Sequence, residues 1–273
     1  MSATEMNLLD QTFARLHQEG RTALMPFITA GDPDMETTLD ILRMAEQAGA
    51  DIVELGVPYS DPLADGPVIQ RASERALVHR VTIETCIETA RLAREQGLQM
   101  PIVLFTYYNP VLQTGLERFF RLVKEAGISG LIIPDLPYEE SEEVLRQADE
   151  ANIHLVPLVA PTSRERIHQI LARARGFIYC VSSIGVTGER ASFAQEVDDF
   201  IKTVKAGTSL PVAVGFGICS RQQVEHFAGF CDGVVVGSAI VRKIEESLSL
   251  LQNEASKEQG LLQIRDFVAQ LRV

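Results

Sequence analysis

No apolar run in this chain approaches the roughly 20 residues that a membrane helix needs. The longest, near 131–134 and 233–241, fall far short of that length. The first ten residues carry an acid, Glu5, and no apolar core of signal-peptide size, so export is not expected and the cytoplasm is the expected location. Positive charge is scarce too: 25 Lys and Arg face 37 Asp and Glu, a formal net charge of −12. With no local basic patch to offset it, that charge repels phosphate backbones and anionic lipid, which argues against nucleic acid or membrane partners. Cysteine is limited to Cys86, Cys180, Cys219 and Cys231 with no Cys-x-x-Cys spacing. Cys180 and Cys231 sit in strand-like runs, so reduced, buried thiols are expected rather than a disulfide framework. Ser/Pro-rich linkers and low-complexity segments are also missing, and residues 1–273 read as one domain.

What is present is a rhythm. Short β-branched runs at 24–29, 52–56, 102–106, 130–134, 154–159, 176–182, 211–215 and 233–236 alternate with segments of helical period. Met35, Leu39, Leu42 and Ala45 form one apolar helix face; Ile167, Ile170, Leu171 and Ala174 form another; Leu262, Ile264, Phe267, Val268 and Leu271 form a third in the final helix. Asp32-Pro33-Asp34 opens the first of these helices and Gly49 closes it, while Thr162 or Ser163 is placed to cap a helix near Arg164. Strand-helix repetition builds a parallel sheet, and eight strand runs favour closing it into a (β/α)8 barrel over an open, doubly wound sheet.

In a barrel the loops after the strands carry the chemistry. Gly215-Phe216-Gly217-Ile218 follows the seventh run, and Gly237-Ser238-Ala239-Ile240 follows the eighth and leads into a short helix. Glycines let backbone approach an anion, and the amides at a helix start attract it, so these loops are a candidate phosphate cradle as well as plausible tight turns. Gly185-Val186-Thr187-Gly188, after the sixth run, is either a loop folding over the same anion or an ordinary flexible connection.

Alternation in Ile52-Val53-Glu54-Leu55-Gly56 turns Val53 and Leu55 toward covering helices and Ile52, Glu54 and Gly56 into the barrel. A carboxylate there loses solvent, its pKa rises, and it becomes a proton donor and acceptor near neutrality, unless an Arg or backbone donors simply satisfy it. A proline-stiffened loop follows, in which Asp65 either assists Glu54 or serves as a helix-entry residue before Gly66-Pro67. Schiff-base chemistry would need an inward strand lysine, but Lys124, Lys202, Lys205, Lys243 and Lys257 fall in helical segments or at their edges. Metal aldolase chemistry would need clustered histidines; His17, His79, His168 and His226 look helical, and His154 lies at the entry end of its strand. No metal site is expected.

The run Val53-Glu54-Leu55-Gly56-Val57-Pro58-Tyr59-Ser60-Asp61-Pro62-Leu63-Ala64-Asp65-Gly66-Pro67 resembles the signature of the tryptophan synthase α-subunit family. Pro26-Phe27-Ile28-Thr29-Ala30-Gly31-Asp32-Pro33, Thr106-Tyr107-Tyr108-Asn109-Pro110, Pro134-Asp135-Leu136-Pro137 and the three glycine loops match in order, so the resemblance spans almost the whole chain. It implies a lyase of tryptophan biosynthesis that splits indole-3-glycerol phosphate into indole and glyceraldehyde 3-phosphate. Glu54 then matches the acid/base, Asp65 the second acid acting at the indole nitrogen, and Tyr179 an active-site tyrosine. Phe27, Ile132 and Phe216 would wall the indole, Gly188, Gly217, Gly237 and Ser238 would hold phosphate, and Thr187 would lie on a mobile loop. The chain departs from some relatives at Ser183 and Ile184, where they carry Arg and Ala, so loop closure need not follow the family.

The resemblance further implies no cofactor in this chain and a β-subunit partner that carries pyridoxal phosphate, in an α2β2 heterotetramer. Pro58, Asp61 and Asn109 would be the exposed contact residues. Two rivals stand beside this reading: another phosphate-binding barrel of aromatic amino-acid synthesis, such as phosphoribosyl anthranilate isomerase, and a subunit whose main task is to activate a partner.

Overall fold

The computed structural model describes residues 6–163, 166–181, 190–215 and 217–273. Nine parallel strand segments form one sheet: β1 (Ala23–Thr29), β2 (Val53–Gly56), β3 (Ile102–Phe105), β4 (Gly130–Ile132), β5 (His154–Leu155), β6 (Leu158–Val159), β7 (Ile178–Val181), β8 (Val212–Gly215) and β9 (Gly233–Val236). Their order is β5-β4-β3-β2-β1-β9-β8-β7-β6, which makes β5 and β6 the two ends. They are also two halves of one chain segment, the lower half paired with β4 and the upper half with β7. That segment closes the ring, giving a (β/α)8 barrel.

The run 154–159 was expected as one strand, and it is interrupted at Val156 and Pro157 because the wall hands over there from one neighbour to the other. The Val156 N–H still reaches back to Leu131 O at 2.9 Å, and Pro157, which has no N–H, uses only its carbonyl, which accepts from Tyr179 N–H at 3.1 Å.

Around the barrel run α1 (Leu8–Glu19), α2 (Met35–Gln47), α3 (Pro67–Val78), α4 (Ile83–Glu95), α5 (Tyr108–Thr114), α6 (Leu116–Glu125), α7 (Glu142–Ala151), α8 (Ile167–Arg173), α9 (Arg190–Ala206), α10 (Arg221–Ala228), α11 (Ser238–Glu246), α12 (Leu248–Leu251) and α13 (Lys257–Leu271). Asp34 caps α2 as expected, its side chain accepting from Thr37 N–H at 2.7 Å. The cap expected near Arg164 is not found at Thr162 or Ser163. Both lie in a short 3-10 turn, Ser163 Oγ accepts from Ala160 N–H, and α8 starts at Ile167 without a side-chain cap. Cys231 is buried as expected but precedes β9 by two residues rather than lying in it.

Strand alternation divides the apolar residues between two cores. Leu24, Ile28, Val53, Leu55, Ile102 and Leu104 face the helices. Met25, Ile52, Val103, Ile132, Phe177, Tyr179 and Val235 fill the barrel. The floor of that interior is α1, which sends Leu9, Phe13 and Leu16 into it, with Phe13 and Phe177 centroids 5.5 Å apart. Asn7 fixes this plug in place: its Oδ1 caps Leu9 N–H, and its Nδ2 donates to Ser129 O at 2.9 Å and Asn152 O at 2.8 Å. The bottom is sealed, so the mouth for a ligand lies at the strand C-termini.

Candidate active site

Glu54 sits in the middle of β2, 1% exposed, where strand alternation sends its side chain into the barrel. Its Oε1 is buried without a hydrogen-bond partner, and burial alone pushes its pKa up to about 8. Among the described residues no Arg compensates it. At neutral pH it is therefore predominantly a carboxylic acid, able to give up a proton and take it back.

Across the strand ladder, Glu54 pairs with Phe27 on β1. One residue beyond the last β1–β9 pair, Pro26 with Val236, come Phe27 and Gly237; a Cβ on Gly237 would meet the Phe27 Cβ at 3.6 Å. Glu54 and the Gly237 loop are thus two strand spacings apart, roughly 10 Å. Gly237 precedes α11, whose first internal bond runs from Ile240 N–H to Gly237 O at 2.9 Å, leaving the Ser238 and Ala239 amides ahead of it. Those amides form an anion-attracting helix start. Gly217, with φ +64°, stands in the neighbouring loop after β8.

Two glycines at the rim are required by close approach. At Gly56 a Cβ would lie 2.4 Å from the Phe27 ring, and at Gly215 it would lie 2.5 Å from the Tyr179 hydroxyl. Tyr179 is 7% exposed, and burial together with the Glu54 charge holds its pKa well above the usual phenol range. Phe105 meets Phe27 edge-on at 5.6 Å, and Ile132, fully buried, pairs with Phe105 in register. The mouth thus offers an acid flanked by flat apolar walls.

Asp65 is half-buried on the loop entering α3, and burial raises its pKa. Tyr107 opposes that rise: it is 1% exposed, its hydroxyl lies near enough to the Asp65 carboxyl to favour the charged form, and it accepts the Ala64 N–H at 3.0 Å. The Tyr107 ring also stacks on Tyr59 at 4.9 Å, bracing the loop from within. Both Tyr107 and the inward Thr29, whose Oγ1 is buried and unpartnered, escaped the sequence reading. Alternation from Phe27 marks Thr29 as inward; no local signal marks Tyr107 as a partner of Asp65.

Of the expected contact residues, Asp61 and Asn109 are exposed but Pro58 is buried, because it continues the covered end of β2 before the loop turns outward. Phe216, Thr187, Gly188, Ser183 and Ile184 lie outside the described residues. Among the described residues no three His, Cys, Asp or Glu side chains are grouped to hold a metal, and no helix is long and apolar enough to cross a membrane. A groove of about 230 Å³ on the outer wall, lined by Tyr138, Arg166 and Arg173 among others, includes none of the expected site residues.

A parallel barrel with a buried, protonatable glutamate inside its C-terminal mouth and a glycine-led helix start across the rim has the layout of one class, the barrel enzymes that work by proton transfer. Comparison with known proteins narrows it. Residues 13–270 match the family model described as tryptophan synthase alpha chain. A tryptophan synthase alpha chain of Geobacillus sp. is 50% identical over 247 residues, covering 90% of this chain and 94% of the relative. One from Thermoanaerobacter sp. is 45% identical and covers 98% and 99%. The crystal structure of the Legionella pneumophila alpha chain superposes with a TM-score of 0.87 at 34% identity, covering 98% of this chain and 96% of that one. This chain belongs to the tryptophan synthase α-chain family. It is a lyase that splits indole-3-glycerol phosphate into indole and glyceraldehyde 3-phosphate, in partnership with a β chain.

Proposed function

We propose that Glu54 is the acid/base of this cleavage and Asp65 its second carboxylate. The supporting observation is Glu54 itself: a buried carboxyl with a pKa of about 8, one oxygen unpartnered, roughly two strand spacings from the Gly237 loop. Protonated Glu54 gives its proton to indole C3 while Asp65 takes the N–H proton, leaving a neutral indolenine. The Glu54 carboxylate then removes the proton of the glycerol hydroxyl beside the ring. That electron pair forms the aldehyde C=O, the C–C pair returns to the ring, and Asp65 reprotonates the nitrogen. Both carboxyls end as they began. Phe27, Ile132 and Phe216 wall the indole, Tyr179 closes the site beside Glu54, and Gly217, Gly237 and Ser238, with Gly188, hold the phosphate. Thr187 is assigned to the same phosphate loop by the family resemblance alone.

The same reading takes residues 1–273 as one catalytic domain, cytosolic, in keeping with buried free thiols at Cys86, Cys180 and Cys231. It needs no cofactor of its own; pyridoxal phosphate belongs to the β subunit, in an α2β2 assembly. Near Asp61 and Asn109 in the chain, Leu63 (84%) and Leu112 (50%) are large apolar side chains left exposed, as residues that a partner covers would be. Pro58, being buried, is left out of such a surface.

Glu54→Gln is expected to reduce indole release by at least about a thousandfold while glycerol phosphate still binds; retained turnover would overturn the assignment. Adding a cognate β subunit is expected to raise the cleavage rate several-fold by holding Asp65 in its productive place. An unchanged rate in a complex verified by sedimentation would remove that part of the reading.

A further inference from the structure

The two helices that frame the proposed site share a small core of their own. Val68 and Ala72 on α3 and Val241 on α11 pack on Phe27, with Ile69 beside them, as a cluster separate from both main cores. Helix α3 continues directly from the loop that carries Asp65; helix α11 starts at Ser238. Along one edge of this contact runs a chain of four charges. Arg71 makes a two-pronged bond to Glu245, with Nε to Oε1 and Nη2 to Oε2 both at 2.8 Å. Arg75 Nη1 reaches the same Glu245 Oε1 at 2.8 Å, and its other two nitrogens fork onto Asp32 at 2.8 and 2.9 Å. Asp32 is 1% exposed and lies just past β1.

Two guanidinium groups and two carboxylates thus tie together the chain after β1, the helix after β2 and the helix after β9. Forked Arg–carboxylate bonds fix direction as well as distance, which a lysine cannot do. Glu245 lies in the last turn of α11 and Ser238 at its start, ~10 Å apart along a rigid rod, so a tilt of about 6° at the clamp would swing the amides by ~1 Å. Displacements of that size are costly to a reaction that needs both ends of a substrate held at once.

We propose that Arg71, Arg75, Glu245 and Asp32 form a positioning clamp that sets the phosphate-holding end of α11 relative to the Asp65 loop, so that one substrate can engage both. The clamp touches no substrate. It matters only for a ligand that spans the two ends, and this follows only if the cradle and Asp65 have the roles given above. A ligand that fills one end alone does not feel the angle between them.

The test uses Glu245→Gln and the charge-conserving Arg71→Lys in the full chain, with Ser238→Asp as reference. Three quantities are read: kcat/KM for indole-3-glycerol phosphate, and the dissociation constants of glycerol 3-phosphate and of indole as separate fragments. The clamp predicts that kcat/KM falls about tenfold in Glu245→Gln and about threefold in Arg71→Lys, with both fragments bound within about twofold of the parent. An unchanged kcat/KM in both variants overturns the proposal. So does a parallel loss of fragment binding, which would mark a general packing role. Ser238→Asp puts a carboxylate at the cradle and is expected to weaken glycerol 3-phosphate strongly. If it does not, the cradle assignment is what has failed; if it does and Glu245→Gln is silent, only the clamp has failed.

Discussion

The two ends of this barrel are built by opposite rules. At the N-terminal end α1 seals the interior, and its carboxylates and its amide plug are paired, with only Arg94 Nη2 left over among the described residues: Asn7 serves three backbone groups, Asp10 meets His154 Nε2 at 2.9 Å, and Asp51 is held by Arg21 and by Leu24 N–H. At the C-terminal end Glu54 Oε1 and Thr29 Oγ1 are buried with no hydrogen-bond partner among the described residues. A folded chain that spent its design only on stability would not leave a carboxyl in that state. One end supplies the free energy that the other, poised for a ligand, gives up.

The contrast can be broken from either side. The largest stability effect is expected at the floor: Phe13→Ala removes a ring packed on Phe177 and is expected to cost about 4 kcal/mol, read as a lower denaturant midpoint. With the protein kept folded, kcat should stay within about twofold. A large fall in kcat with little lost stability would mean that the two ends are not separate.

At the mouth the expected sign reverses. Glu54 has a folded pKa of about 8 against an ordinary value of 4.5, so the folded state retains a proton that the unfolded chain has released within that window. Stability therefore falls as pH rises from 4.5 to 8, and the penalty is fully developed above 8. Glu54→Gln is expected to stabilise the chain at pH 9 by on the order of a few kcal/mol and to change little near pH 4. A pH-independent difference between the two proteins, measured by denaturation, would show that the carboxyl is already ionised in the fold. For the same reason, activity that needs the protonated acid should decline above pH 8.

The smallest effect sharpens the comparison within the mouth. Tyr107→Phe frees the Asp65 carboxylate from a partner that opposes the rise in its pKa. Turnover is expected to fall about tenfold with an upward shift of the acidic limb of the pH profile, while glycerol phosphate binding is unaffected. An unshifted limb would mean that Asp65 does not titrate in the reaction.

Much of this was legible in the chain. Period-2 alternation around Glu54 turned Val53 and Leu55 outward and the acid inward, because any strand in a closed barrel has one face to the helices and one to the interior. Gly237 before a helix start was legible too, since amide ends and missing side chains are local properties. The break at Val156-Pro157 was not legible, because the need to change neighbours arises only when the ring closes. The burial of Pro58 was missed for a similar reason: exposure depends on what packs over a loop.

The sequence by itself determined the strand count, the inward glutamate, the glycine loops and the family, all of which are written in residue type and short spacing. Only the tertiary structure decided that Glu54 Oε1 has no partner among the described residues, that Tyr107 comes to Asp65 from 42 residues away, and that Arg71 and Arg75 reach Glu245 across about 170 more. Such pairings depend on where the chain returns after closing a barrel, and neither helical period nor strand alternation carries that information.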